Sequence, residues 1–336
     1  MKSLRNMRGL FCLLSVLFES FPKVLLACCC NFLNLKMKVE NMIVKSVSVT
    51  MVLSILILAS CSKNNEVLNS TDVENVNSEL LSEAFVAETS EMSFILLSNI
   101  NDSKLGSPSS SIPDLSSIDS PLIGAAIAIS GTGGMNNPQG TITIDFKTGT
   151  TDHHGVLRKG IVKITYLGRR WAAGSTHAIS FSGYSRNKVM ISDSTTYTIT
   201  NLTADSTDVT RDFHHVLKRC QLTFPDQKTF KRNAEFIASI DFVSKTTSLK
   251  AIDATNSAEG TTRFGANFVT NITDSLFYKS QCIGSKIFLP SEGAKTITIG
   301  PSTYTIAYGG AKTCGQTVTV KVGDKSATIA VNSDGN

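Results

Sequence analysis

The spacing of apolar residues along the chain changes three times, and each change predicts a different kind of segment. Two compact apolar runs come first, Gly9 to Phe18 and Val47 to Leu58. Both fall short of the roughly 20 apolar residues a membrane-spanning helix needs. After a polar stretch, Val73, Val76, Leu80 and Ala84 follow one another at three- and four-residue steps. That is the period of a helix with one apolar face. Thr71 and Glu74 have capping-box spacing, so a helix is expected from about Thr71 to Thr89, with Met92, Phe94, Ile95 and Leu96 able to carry it toward Asn99. From about Gly140 the period drops to two, the mark of strands with one buried face. Ile142, Ile144 and Phe146 alternate with Thr141, Thr143 and Asp145, and Val162, Ile164 and Tyr166 alternate with Ile161, Lys163 and Thr165. The alternation returns at Ile179 and Phe181, Tyr197 and Ile199, Leu222 and Phe224, Phe236 to Phe242, and Phe264 to Ile272. Lys286 to Leu289, Thr296 to Ile299, Tyr304 to Tyr308, Thr317 to Val322 and Ala327 to Val331 complete about a dozen predicted strands.

The connections between these strands hold turn residues such as Lys147-Thr148-Gly149, Gly309-Gly310 and Gly323-Asp324, and none is long enough for a helical crossover. Antiparallel pairing of sequential strands follows. The predicted fold is therefore all-β, an antiparallel meander forming a curled sheet, an open barrel or a sandwich, preceded by a short N-terminal helical segment.

The second apolar run ends in Leu58-Ala59-Ser60-Cys61. A small-residue pair before a cysteine at the close of a signal-peptide core is the cleavage and lipidation signal of bacterial lipoproteins. Residues 1–60 are thus read as a leader, with 42–60 as the lipoprotein signal peptide and 1–36 as a gene-start artefact. A rival signal, Leu25-Leu26-Ala27-Cys28, has its apolar core broken by Glu19, Pro22 and Lys23. Cys61 is the expected lipid anchor, 61–70 a tether, 71–121 a helical preface with a linker carrying Pro108, Pro113 and Pro121, and 122–336 the β domain. These signals place the protein at the outer membrane, on a face that they do not choose.

The formal charge of +5 invites a polyanion partner, yet the leader holds seven basic and two acidic residues of the chain's 32 and 27. That leaves 25 of each sign after Cys61, so no nucleic-acid partner is expected. Cysteine numbers shrink likewise, from eight to Cys61, Cys220, Cys282 and Cys314. In an exported domain disulfides persist. Cys282 and Cys314, which flank late strand signals, are expected to pair and Cys220 to be buried and free; three unpaired core cysteines are the alternative.

Several phrases between about Gly140 and Val331 carry a resemblance to a family. Asp145-Phe146-Lys147-Thr148-Gly149-Thr150 with Arg158-Lys159-Gly160, then Thr165-Tyr166-Leu167-Gly168-Arg169, and the late Tyr278 to Cys282, Tyr308-Gly309-Gly310 and Cys314-Gly315 resemble an uncharacterised family of Bacteroidota-type exported lipoproteins. Lys147 stands where that family usually has glycine. The resemblance implies an exported all-β lipoprotein and supplies no catalytic residues.

Candidate chemistry is sparse. His153-His154 and His214-His215 are adjacent pairs, and neighbours on a strand point to opposite faces, so neither pair makes a metal site from a strand. Gly131-Thr132-Gly133-Gly134 lacks a following GK[ST] and reads as a flexible connection. Cys220 lies near His214 and His215, but a buried, inert thiol is the preferred reading. Arg169-Arg170-Trp171, with the chain's single tryptophan, is the binding candidate, because an aromatic ring flanked by guanidinium groups can stack on a sugar or grip an anion. An edge exposed at a strand end is expected there, against a Trp that covers one end of the core.

The expected function is a non-catalytic binding or structural domain on a lipid-anchored envelope protein, without cofactor or metal, its partners the membrane through Cys61 and a glycan or envelope protein. Two alternatives stand beside it. One is a glycan- or peptidoglycan-processing enzyme whose carboxylates, among Asp145, Asp241 and Asp253, converge within the sheet; the other is an adhesin or assembly subunit.

Overall fold

The computed structural model describes residues 68–99, 121–169, 171–203, 209–252, 257–285, 287–309 and 314–331, all within one compact unit, Asn65–Asn336. Cys61 and residues 1–67 lie outside the described residues, as do Arg170 and Asp253. Helix α1 (Ser70–Asn99) comes first. Its cap is Asn69, whose Oδ1 accepts from the Asp72 amide at 2.8 Å, so the first turn is capped one residue outside the helix and not by the Thr71–Glu74 box.

Sixteen strands follow among the described residues. They are β1 (Ala126–Thr132), β2 (Gln139–Asp145), β3 (Thr150–Thr151), β4 (Leu157–Leu167), β5 (Thr176–Arg186), β6 (Val189–Ile191), β7 (Thr196–Asn201) and β8 (Thr210–Thr223). Then come β9 (Thr229–Asp241), β10 (Thr246–Lys250), β11 (Ala258–Thr261), β12 (Asn267–Lys279), a short helix α2 (Ser280–Gly284), β13 (Glu292–Ile299), β14 (Ser302–Tyr308), β15 (Thr317–Val322) and β16 (Lys325–Ala330). All form one antiparallel sheet that runs from β1 to β16, and among the described residues these two edges do not pair. The fold is an open curled sheet, not a closed barrel.

Three positions in the sheet are each shared by two short strands. β2 and β3 both lie on β4, β6 and β7 both bridge β5 to β8, and β10 and β11 both bridge β9 to β12. Sixteen strands therefore fill thirteen positions, which is why a count by alternation finds about a dozen. The long strands bend where the register slips, at Lys159/Ile161 in β4 and at Leu217/Cys220 in β8. Such bulges add local twist and curl a sheet. At the first, Gly160 has φ +81° and a Cβ there would sit 2.2 Å from the Gly183 carbonyl oxygen, so only glycine lets the two strands approach.

Two sequence expectations fail locally. Residues 287–289 form no strand, and Phe264 belongs to the turn before β12, not to the strand. Gly131 and Thr132 end β1, which the alternation scan missed, and Gly133 and Gly134 take φ +88° and +64° in the hairpin turn to β2; the segment is an ordered hairpin and not a flexible connection. Lys147 has φ +54°, in the left-handed region that residues other than glycine seldom adopt.

The larger surprise is the helix. It is not a preface standing outside the sheet, because Val76, Leu80, Phe85, Met92 and Leu96 are fully buried in the same core as Ile142, Val162, Ile179, Phe213, Phe230 and Ile306. The sheet curls around α1. Cys282 in α2 is bonded to Cys314, just before β15, with Cα atoms 5.2 Å apart, and Cys220 is buried and free. Closing that loop contributes ~3–4 kcal/mol on a chain-entropy estimate.

Candidate ligand-binding cavity

Along the N-terminal two thirds of α1 the interface is filled by buried ion pairs. Glu79 and Glu83 are four residues apart and share a face, whereas Glu88 lies nine residues from Glu79, two and a half turns at 3.6 residues per turn, and so points to the opposite side. Each side meets cations from a different part of the sheet. Lys295 of β13 approaches Glu79 at 3.3 Å and Glu83 at 2.6 Å, and Arg232 of β9 reaches them at 3.4 and 3.3 Å. On the far side Glu88 pairs with Arg158 of β4 and, at 3.0 Å, with Arg186 of β5; Arg158 also grips Asp152 at 2.8 Å. Cations on two sides of one helix are the direct electrostatic record of a sheet that wraps it.

These groups are almost completely enclosed. Burial alone would raise the Glu79 carboxyl, but Arg232 and Lys295 outweigh it and hold it below its ordinary range. Burial opposes ionisation of Asp152 in the same way, and its hydrogen bond from Arg158 wins. Burial would lower Arg158, and Glu88 raises it further still. The signs agree for Glu79, Asp152 and Arg158, whose charged forms are favoured, and each cluster holds two carboxyl groups and two basic side chains.

Beyond Glu83 the interface opens. A cavity of about 270 Å³ runs between the C-terminal half of α1 and the inner face of β7 to β12. On β9 it is lined at Arg232, Phe236, Ala238 and Ile240 and, just past the strand, at Phe242, and on α1 from Glu83 to Ser98. Fifteen helical steps at 1.5 Å each spread its lining residues over about 20 Å of α1. Its inner end is polar, with Glu83, Ser90, Tyr197, His215, Arg232 and Tyr278; its outer end is apolar, with Phe94, Trp171, Phe242, Leu249, Leu276 and Ile283. Phe242 is exposed, so the cavity reaches the surface there. Strand register puts the exposed Met135, Leu167, Leu202, Val209 and Val243 at this same end of the sheet.

The inner end carries an ordered chain of hydroxyl and imidazole groups. Ser90 of α1 hydrogen-bonds the Tyr197 hydroxyl, and Tyr197 bonds His215 Nδ1 across β7 and β8. Burial keeps the phenol protonated and pushes His215 down to about 3, so the imidazole is neutral. Nε2 is buried without a hydrogen-bond partner, and so is Nε of Arg232.

The residues singled out in the sequence are not gathered into one edge. Trp171 is half-buried in the turn after β4, its ring edge-on to Phe213 at 6.3 Å and Phe242 at 5.4 Å, and it lines the cavity mouth. The guanidinium over its ring is that of Arg211 in β8, 5.1 Å away, and Arg169 is exposed beside the turn. The expectation of a substantially exposed Trp171 is corrected: the turn that carries it folds inward because Phe213 and Phe242 offer apolar surface.

His214 and His215 do point to opposite faces; His214 is bridged outside to Glu235 at 2.8 Å. His153 and His154 sit exposed in a turn that Asp152 caps through the His154 and Val156 amides. No group of three His, Cys, Asp or Glu among the described residues could hold a metal. Burial pushes the Cys220 thiol up to about 12, a form without nucleophilic character. Asp145 and Asp241 occupy opposite ends of the sheet, each accepting from amides of its own turn, so these two carboxylates do not converge.

The site thus defines a class by geometry, an open β sheet wrapped on a helix with a cavity between them. No protein-family model, curated protein or solved structure matches the chain.

Proposed function

We propose that this protein is a lipid-anchored envelope lipoprotein whose β domain is a binding module and not an enzyme, and that the module holds a small apolar ligand in the cavity beside α1. The observation that carries this reading is the cavity of about 270 Å³, open to the surface near Phe242 and lined there by apolar side chains. An apolar cavity of about 150 Å³ accepts benzene, so by scaling this one takes roughly ten to twelve carbon atoms. Space left unfilled in an otherwise close-packed interior lowers stability, which makes an unused cavity a liability. The anchor rests on Leu58-Ala59-Ser60-Cys61 in the sequence.

Trp171 supplies the test, being the chain's single tryptophan and a wall of the cavity. Titration of the purified protein with dodecane is expected to shift its emission saturably and to raise the melting temperature. A linear, unsaturable response with an unchanged melting temperature overturns the reading. Labelling cells with a clickable palmitate analogue tests the anchor: the label disappears in Cys61→Ala, and equal labelling refutes it.

A further inference from the structure

One part of the cavity's outer wall lies outside the sheet. β12 ends at Lys279, opposite the first residue of β10, Thr246, and β13 starts at Glu292, opposite Phe277, so residues 280–291 leave the ladder. Helix α2 opens this segment, and its Ser280 and Ile283 line the cavity. Five residues are too few for a helix to hold its own shape in water, and α2 has no side-chain cap. Its place must come from ties to the rest of the fold. Hydrogen bonds to the sheet come from its first residue, where the Ser280 amide and hydroxyl donate to the Lys245 carbonyl at 3.1 and 2.8 Å. Further along α2 the tie is covalent, because Cys282 is bonded to Cys314, 32 residues on.

Ile283 follows Cys282 directly and is the apolar side chain that α2 gives to the cavity lining, beside the contributions of Leu249 and Leu276 from the sheet. Cys282 is buried and Ile283 packs half-buried against the core. On the cavity-binding reading above, on which this rests, we infer that the Cys282–Cys314 bond is a clasp for the cavity's outer wall: it holds Ile283 against the ligand and so sets how tightly an apolar chain is retained. The bond also stabilises the whole fold through chain entropy. The two effects part at the ligand. A general loss of stability lowers the melting temperature and leaves the affinity of the folded molecules as it was, whereas a displaced Ile283 weakens binding itself.

Dodecane titrations followed by Trp171 emission, at a temperature where every form is folded, test this on the full protein. The double variant Cys282→Ser with Cys314→Ser is expected to bind dodecane about ten-fold more weakly than wild type, the usual scale for apolar groups lost from a pocket wall. Reduction of wild type by dithiothreitol, which closes to its own cyclic disulfide while Cys282 and Cys314 become thiols, should give the same loss, and reoxidation should restore the affinity. Ile283→Ala with the bond intact should match that loss, and removing the bond in Ile283→Ala should weaken dodecane no further; this variant carries the test if the forms without the bond do not fold. Ala84→Leu, a core change away from the cavity, should lower the melting temperature and leave dodecane affinity unchanged. Equal affinity with and without the bond, an Ile283→Ala protein that binds as wild type does, or losses that add in the combined variant overturns the clasp and leaves a binding cavity in place. An equal loss of affinity in Ala84→Leu overturns it too, because the bond would then act through stability alone. Failure of dodecane to bind wild type removes the cavity reading itself, and the clasp with it.

Discussion

The two halves of the helix–sheet interface are built from opposite materials. Around Glu79, Glu83 and Glu88 the space between α1 and the sheet is filled with paired charges that are nearly inaccessible to solvent. From Ser90 to Ser98 it is lined mainly by aromatic and aliphatic side chains and is partly empty. Buried ion pairs add little net stability over apolar packing, because desolvation offsets their attraction, but they tolerate only one geometry. Clamped on two opposite faces by four strands, the helix cannot turn or slide to close the void beside its C-terminal half. The charged half holds the position and the apolar half keeps the space.

The largest effect should come from breaking the clamp. Glu88→Ala leaves Arg158 and Arg186 with one buried carboxylate, Asp152, between them on that side. A loss of about 3–5 kcal/mol in denaturant unfolding is expected, the usual cost of stranding a buried charge. A loss under about 1 kcal/mol would mean that the ion pairs do not fix the helix and that the two halves are not distinct in the way described.

Acid should separate the halves by pH. His215 has a folded pKa of about 3 against an ordinary 6.5, so between those values the unfolded chain binds a proton that the fold does not. Stability contributed by the neutral ring is complete above pH 6.5 and falls as the pH drops, by about 2 kcal/mol between pH 6.5 and 5. Glu79 is also lowered, but as a carboxylate its contribution is lost only below its ordinary value of 4.5. Stability curves of wild type and His215→Gln check this: the variant should lose the slope above pH 5 and keep the fall below 4.5. An identical slope in both refutes the placement of His215 as a buried neutral ring.

How much of this was legible in the sequence depends on what kind of signal each element leaves. Strands with a clean inside and outside, such as Ile142 to Phe146 or Val162 to Tyr166, declare themselves by alternation. Short strands that share a position, such as β6 and β10, are too brief to alternate visibly. The helix was found but misplaced. An acidic helix is ordinarily exposed, and nothing local says that Glu79 and Glu88 meet partners 216 and 70 residues away in Lys295 and Arg158. The missed clue sat in the strands: Phe230, Arg232, Ala234 and Phe236 keep strict alternation, and so do Lys295 and Ile297, which puts Arg232 and Lys295 on the buried face. An alternating strand with a cation in its apolar phase needs an anion inside the fold, and α1 was the supply available. Trp171 was singled out for sound reasons of chemistry, but its stacking cation, Arg211, comes from a strand 40 residues on and only the tertiary fold brings the two together.

The smallest expected effect is the sharpest test of the comparison, because it places one chemical change in both halves. Ala84 lies on α1 between the two clusters, fully enclosed and away from the cavity; Ala238 lies on β9 and faces into it. Ala84→Leu must force extra methylene groups into close-packed surroundings, which ordinarily costs about 1–3 kcal/mol. Ala238→Leu puts the same atoms into empty space flanked by Phe236 and Ile240, where cavity filling ordinarily adds about 0.5–2 kcal/mol, and the side chain's lost rotamer freedom places the expectation near 0.5. For a domain of this size that is a rise of only one or two degrees in melting temperature. The binding readout amplifies it, since the added side chain occupies the channel between Trp171 and His215, and the response of Trp171 to dodecane should vanish while the fold is slightly firmer. If Ala238→Leu destabilises as Ala84→Leu does, the space beside the C-terminal half of α1 is packed in solution, and the two halves differ in polarity alone.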